Sequence, residues 1–175
     1  PAAAFAVLGI VSSLSSVAHA SPGITGYSGK PYNGVTDTCK TNCHGGGGAA
    51  PTLDITVPTA MNAGDVGDVT IVINGTRTRT SMNAAFTDGV KATAGMNTNI
   101  PFPNETPDEV AAVTPPPNGA TGTYKFKFTA PNKNGPITLY IAAMSASGSG
   151  SGGDGVAIAT RTITISGAVT PPADG

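Results

Sequence analysis

Charge is sparse in this chain. Lys, Arg, Asp and Glu make up 11% of its 175 residues, and the formal net charge is -1. The basic side chains are scattered from Lys30 and Lys40 to Lys133 and Arg161 and form no stripe. A surface that neutralises a phosphate backbone is thereby excluded, and no nucleic-acid partner is expected. A helical hydrophobic period is missing as well. Twenty-four Gly and fifteen Pro suit short strands joined by turns, because helix interiors tolerate neither residue. The length allows one domain with a real core and room for a small appendage, but not two large units.

Histidine and cysteine each occur only twice. One histidine, His19, lies at the end of an apolar run over residues 2–17, in the tripeptide Ala18-His19-Ala20 ahead of Ser21-Pro22. An apolar run closed by an A-x-A site is the pattern of a secretory signal peptide, expected over residues 1–20. The run falls short of the roughly 20 residues a bilayer crossing needs, so no membrane span is expected in the mature segment. No basic n-region or initiator Met precedes it, so the front is expected to be clipped. Export to the periplasm, cell surface or extracellular space is the expected destination. Removal of the leader leaves His44 as the only histidine, which excludes a bis-histidine iron site, a multi-histidine zinc or copper site and a Ser/His/Asp triad.

Residues 21–50 are Gly-rich, with Ile24, Tyr27, Tyr32 and Val35 as the only sizeable apolar side chains. Such a segment cannot bury enough surface to fold alone and must lean on the remainder of the chain. Beyond Pro51 the period is two. Leu53, Ile55 and Val57 alternate with Asp54 and Thr56, and Val69, Ile71 and Ile73 alternate with Thr70 and Val72 before an Asn74-Gly75 turn. Further strands are expected over residues 80–86, 90–94, 124–128, 137–144 and 156–165. The clearest is the alternation of Tyr124, Phe126 and Phe128 with Lys125 and Lys127, which marks those rings as core. Residues 95–121 carry six prolines and are expected to hold no central strand. About seven short strands predict an all-β, immunoglobulin-like antiparallel β-sandwich over residues 51–167, with a Pro-rich linker over residues 168–175 and more chain beyond it.

The chemistry is concentrated in Cys39-Lys40-Thr41-Asn42-Cys43-His44, which runs directly into Gly45 to Gly48. Two thiols followed at once by an imidazole is the arrangement that holds c-type haem. The sulfurs form thioethers to the porphyrin edge, and the histidine ligates iron. The spacing has three residues where two are usual, and a bulge in the loop can absorb the extra one. The glycines let the backbone turn sharply beside a flat cofactor. The alternative is a small disulfide loop between Cys39 and Cys43, as an oxidising compartment allows.

The sixth iron position must come from something other than histidine, and a thioether would raise the reduction potential. Met82 reads as core filler and Met61 as incidental in a turn. Met96, in the irregular stretch, is the preferred ligand, with Met144, at a strand end opening into a Gly/Ser tract, as the alternative. Water or a lysine are the remaining options. Asp154 reads as a turn residue in a glycine loop or a helper in calcium binding. The sequons at Asn74 and Asn104 matter only in a eukaryotic secretory pathway.

Gly26-Tyr27-Ser28-Gly29 ahead of the cysteines, the glycine run after them, and the stretches Phe126-Lys127-Phe128-Thr129-Ala130-Pro131, Gly135-Pro136-Ile137-Thr138-Leu139-Tyr140 and Gly153-Asp154 carry a further signal. Together they resemble bacterial exported proteins that join one haem-attachment motif to a Reeler-like β-sandwich, some of them similar to myxobacterial surface-anchored proteins. That family usually has CxxCH spacing and often a histidine in the region corresponding to residues 109–114, where this chain has none. The resemblance implies a Reeler-like fold and one covalent haem c held by Cys39, Cys43 and His44. The expected function is a monohaem c-type cytochrome module that exchanges electrons with redox partner proteins and turns over no substrate. A structural or adhesive sandwich with a Cys39-Cys43 disulfide and a haem-based sensor are the rival expectations.

Overall fold

The structure, a computed structural model, describes residues 27–31, 44, 47–87, 89–148 and 152–169. The expected signal peptide, Cys39, Cys43 and residues 170–175 lie outside the described residues. Ten strands succeed one another: β1 (Thr52–Thr56), β2 (Ala60–Asn62), β3 (Val66–Asn74), β4 (Arg79–Phe86), β5 (Lys91–Ala94), β6 (Thr98–Asn99), β7 (Glu109–Ala112), β8 (Thr121–Thr129), β9 (Gly135–Ala146) and β10 (Gly155–Ser166). No helix occurs among the described residues. The strands form a four-stranded sheet, β1-β3-β8-β5, and a six-stranded sheet, β2-β10-β9-β4-β7-β6. Two sheets enclosing one core make the chain an all-β sandwich, as the alternation predicts.

Alternation builds that core. In β3 and β8 the register sets Val69 against Phe126 and Ile71 against Tyr124, so each strand sends every second side chain inward. On the outward face Lys127 reaches Asp68 at 2.6 Å. From the other sheet Phe86, Leu139, Ile141 and Ile163 meet them, all essentially inaccessible to solvent. The Phe86 ring lies edge-on to Phe126 at a centroid distance of 6.3 Å and tilted over Phe128 at 4.6 Å. Met82 is part of this core, as expected.

Three features depart from the sequence reading. β7 lies inside the sheet, hydrogen-bonded to β4 on one side and β6 on the other, within the stretch expected to lack a central strand. Its four residues contain no proline; Pro107 and Pro115 fall on either side, so the density of prolines punctuates the segment rather than forbidding the ladder. β2 runs parallel to β10, so the sandwich is not wholly antiparallel, and Met61 sits in that edge strand against the core rather than in a turn. β9 continues to Ala146, which places Met144 within a strand and not at its open end.

Burial on both faces distinguishes β9. Residues 141–146 are all buried, yet only Ile141 and Ala143 belong to the inter-sheet core. Ala142, Met144 and Ala146 point to the outer face, where Met144 pairs across to Ser81 and Val156.

Tyr124 is the polar exception in the core. Its hydroxyl donates to the Thr80 carbonyl at 2.6 Å and lies 3.0 Å from Thr80 Oγ1. Burial pushes its phenol above the usual value of 10.0, and the Thr80 side-chain hydrogen bond opposes this only partly. A raised folded value means that stability is fully present below the unfolded pKa and declines as pH rises through about 10 toward the folded value. Melts between pH 8 and 11 are expected to show this decline, and Tyr124→Phe to flatten it. Phe86→Ala, which empties the ring cluster, is expected to cost about 3–5 kcal/mol in chemical denaturation.

Candidate functional site

His44 is brought to the β9–β10 end of the sandwich by glycine. Gly47 takes a positive φ of 71°, which turns the chain as it leaves the histidine. The amide of Gly48 then donates to the Asp154 carbonyl at 3.2 Å. A Cβ on Gly48 would stand 2.0 Å from the Gly153 carbonyl oxygen, and one on Gly155 would stand 1.8 Å from the carbonyl oxygen of Ala49. Only bare backbone allows the two segments to lie this close. The last glycine of the run thus serves chain-to-chain approach, and the chain passes from here through Pro51 into β1.

This approach seats the imidazole. His44 Nδ1 lies 2.8 Å from Asp154 Oδ2, with side-chain exposures of 4% and 0%. The second oxygen of Asp154, Oδ1, accepts the Ser147 amide at 3.1 Å. A buried carboxylate is stable only with such partners. Because an ionised carboxylate can only accept, the neutral ring carries its hydrogen on Nδ1 and keeps the lone pair on Nε2. Carboxylate on one nitrogen and lone pair on the other is the arrangement found behind metal-bound histidines.

The other expected site residues separate. Met144 is 2% exposed and faces outward from β9, and its partner Val156 lies two residues after Asp154. His44 and Met144 are therefore attached to the same hairpin. Met96 is 45% exposed in the turn between β5 and β6, where its carbonyl accepts the Lys125 amide of β8 at 2.9 Å. That turn passes from β5 of the four-stranded sheet to β6 of the six-stranded sheet and is no part of the β9–β10 hairpin. No group of three or more His, Cys, Asp and Glu able to hold a metal occurs among the described residues. No helix among them is long and apolar enough to cross a membrane.

Two residues escaped the sequence reading. Asp154 reads as a turn former, but it is the buried partner of His44; the signal was the glycine on each side, which marks close approach as readily as a turn. Asp108 forms an ion pair with Lys30, both largely buried, and pins residues 27–31 to the start of β7. The Gly-rich N-terminal segment, unable to fold alone, is held to the sandwich at these two places.

Gly48→Ala and Gly155→Ala are each expected to displace residues 47–50 from the hairpin, read as faster amide exchange there while the core amides keep their protection. Asp154→Ala removes the acceptor of both the imidazole and the Ser147 amide, and is expected to cost about 1–3 kcal/mol by denaturant titration.

No family model matches the sequence, and no curated protein matches it. Among solved structures, a cohesin module from a Clostridium perfringens family 33 glycoside hydrolase is similar to 67% of this chain over 97% of its own length. Its TM-score is 0.45 and its identity 13%. The reeler domain of human F-spondin is similar to 68% of this chain over 91% of its own, with a TM-score of 0.49 and 12% identity.

Proposed function

We propose that this chain is an exported monohaem c-type cytochrome module, built on a Reeler-like β-sandwich, that passes electrons by outer-sphere transfer to redox partner proteins at the periplasm or cell surface. The observation that carries the reading is the histidine itself. His44, directly after Cys43, is buried with Nδ1 committed to a carboxylate, which leaves Nε2 as the nitrogen for a metal. A histidine idle beside a disulfide has no need of a buried acid.

The donor set fits haem c. Cys39 and Cys43 would hold the porphyrin edge, His44 would be the proximal ligand, and a thioether would complete the set. Met144 is the thioether on the hairpin that anchors His44, and we assign it the sixth position in preference to Met96. When bound, the haem supplies a one-electron couple. The chain supplies the rest. The outer face of β9, with Ala142, Met144 and Ala146, forms an apolar wall that lowers the local dielectric, and the Lys30 to Asp108 pair keeps the N-terminal segment against that sheet.

Mature protein made in a host that attaches c-type haem is expected to gain the mass of one haem and a Soret band, both lost in a Cys39→Ser/Cys43→Ser variant. A colourless protein two hydrogens lighter than the dithiol would overturn the reading in favour of a disulfide-closed structural or adhesive module. In the ferric haem protein, the red absorption band of sulfur ligation is expected to survive Met96→Leu and disappear in Met144→Leu, a volume-conserving change. The opposite result would give the position to Met96, and no band in the parent would point to an open-site sensor.

A further inference from the structure

We infer that Asp154 is the positioning residue that sets the reduction potential of this site, holding the iron toward the ferric state so that the module acts as a one-electron donor. The inference rests on the haem reading above and adds a direction to it. A neutral acceptor behind an axial imidazole only orients it, whereas an anionic one also makes it a stronger donor. The Nδ1–H bond is polarised toward Asp154 Oδ2, electron density rises on Nε2, and the more positive of the two iron states is stabilised.

Three observations show that the charge is not dissipated. The 2.8 Å contact is in the range of a charge-assisted bond. Both side chains are removed from water, where screening is weak. The remaining oxygen of Asp154 accepts from a neutral backbone amide, that of Ser147. The other ion pairs among the described residues, Lys30 with Asp108 and Lys127 with Asp68, use different acids. A carboxylate in this position opposes the rise in potential that a thioether on the opposite side of the ring brings, so its removal is visible whichever group fills the sixth position. A bound haem would supply the one electron passed to a one-electron acceptor on a partner protein, while the Nδ1 hydrogen would stay in the His44–Asp154 bond.

The test is a redox titration of the haem-loaded mature chain, parent against Asp154→Asn. The amide keeps an acceptor oxygen and the size of the side chain while removing the charge. The variant is expected to shift the ferrous-to-ferric ratio at fixed potential at least tenfold toward ferrous, which is about 59 mV upward for one electron. In a ferrous Met144→Leu background, which leaves the sixth position without its thioether, the iron–histidine stretching frequency in resonance Raman spectra is expected to fall when Asp154→Asn is added. Haem-free Cys39→Ser/Cys43→Ser protein gives a second reading: a strongly downfield His44 Nδ1 proton is expected, moved upfield by Asp154→Asn. A haem-loaded variant with the parent's potential and stretching frequency overturns this inference and leaves the haem reading standing. A parent chain that takes up no haem overturns both, and an unmoved Nδ1 proton in the haem-free pair overturns the contact itself.

Discussion

A single hydrogen bond joins regions of the chain that are 110 residues apart. His44 Nδ1 meets Asp154 Oδ2 where the N-terminal segment reaches the β9–β10 hairpin, and neither partner could be buried without the other. The segment before Pro51 has too little apolar surface to hold a conformation by itself, so its position is borrowed from the sandwich. It borrows at Asp154 and again at Asp108, two acids at the starts of two strands of the same six-stranded sheet. The outer face of that sheet, which in a free sandwich would meet solvent, is accordingly closed around Ala142 and Met144.

The geometry concentrates chemistry at one end of the fold. Glycine at positions 48 and 155 allows backbone to lie on backbone, and that approach holds the imidazole where its Nδ1 can reach an acid. The core, by contrast, carries no reactive group. The Tyr124 hydroxyl within it is satisfied by Thr80 and locked among apolar neighbours. A packed sandwich thus carries the His44–Asp154 contact at one of its hairpins rather than in its core.

The fold was legible where period two was unbroken. Val69, Ile71 and Ile73 in β3 and Tyr124, Phe126 and Phe128 in β8 declare their inward faces without help, because each strand has one face on the core and one in water. β9 was read two residues short at its end because Ser145 opens a Ser/Gly tract that reads as flexible, whereas the ladder to β4 continues through Ala146. β7 was hidden by its flanking prolines. β2 was hidden because three residues pairing in parallel with β10, far along the chain, have no local signature.

For the site, Cys39, Cys43 and His44 lie within six consecutive residues, so their grouping is visible in the sequence. The sequence by itself determined the class of fold and the motif, since these depend on local periodicity and on the order of residues. Only the tertiary structure decided that Asp154 stands behind that histidine and that Met144, rather than Met96, shares its hairpin. The reason is physical: a hydrogen-bond partner 110 residues away, and the face of a strand on which a methionine lies, are set by sheet register and by where backbones can touch. A linear pattern records neither.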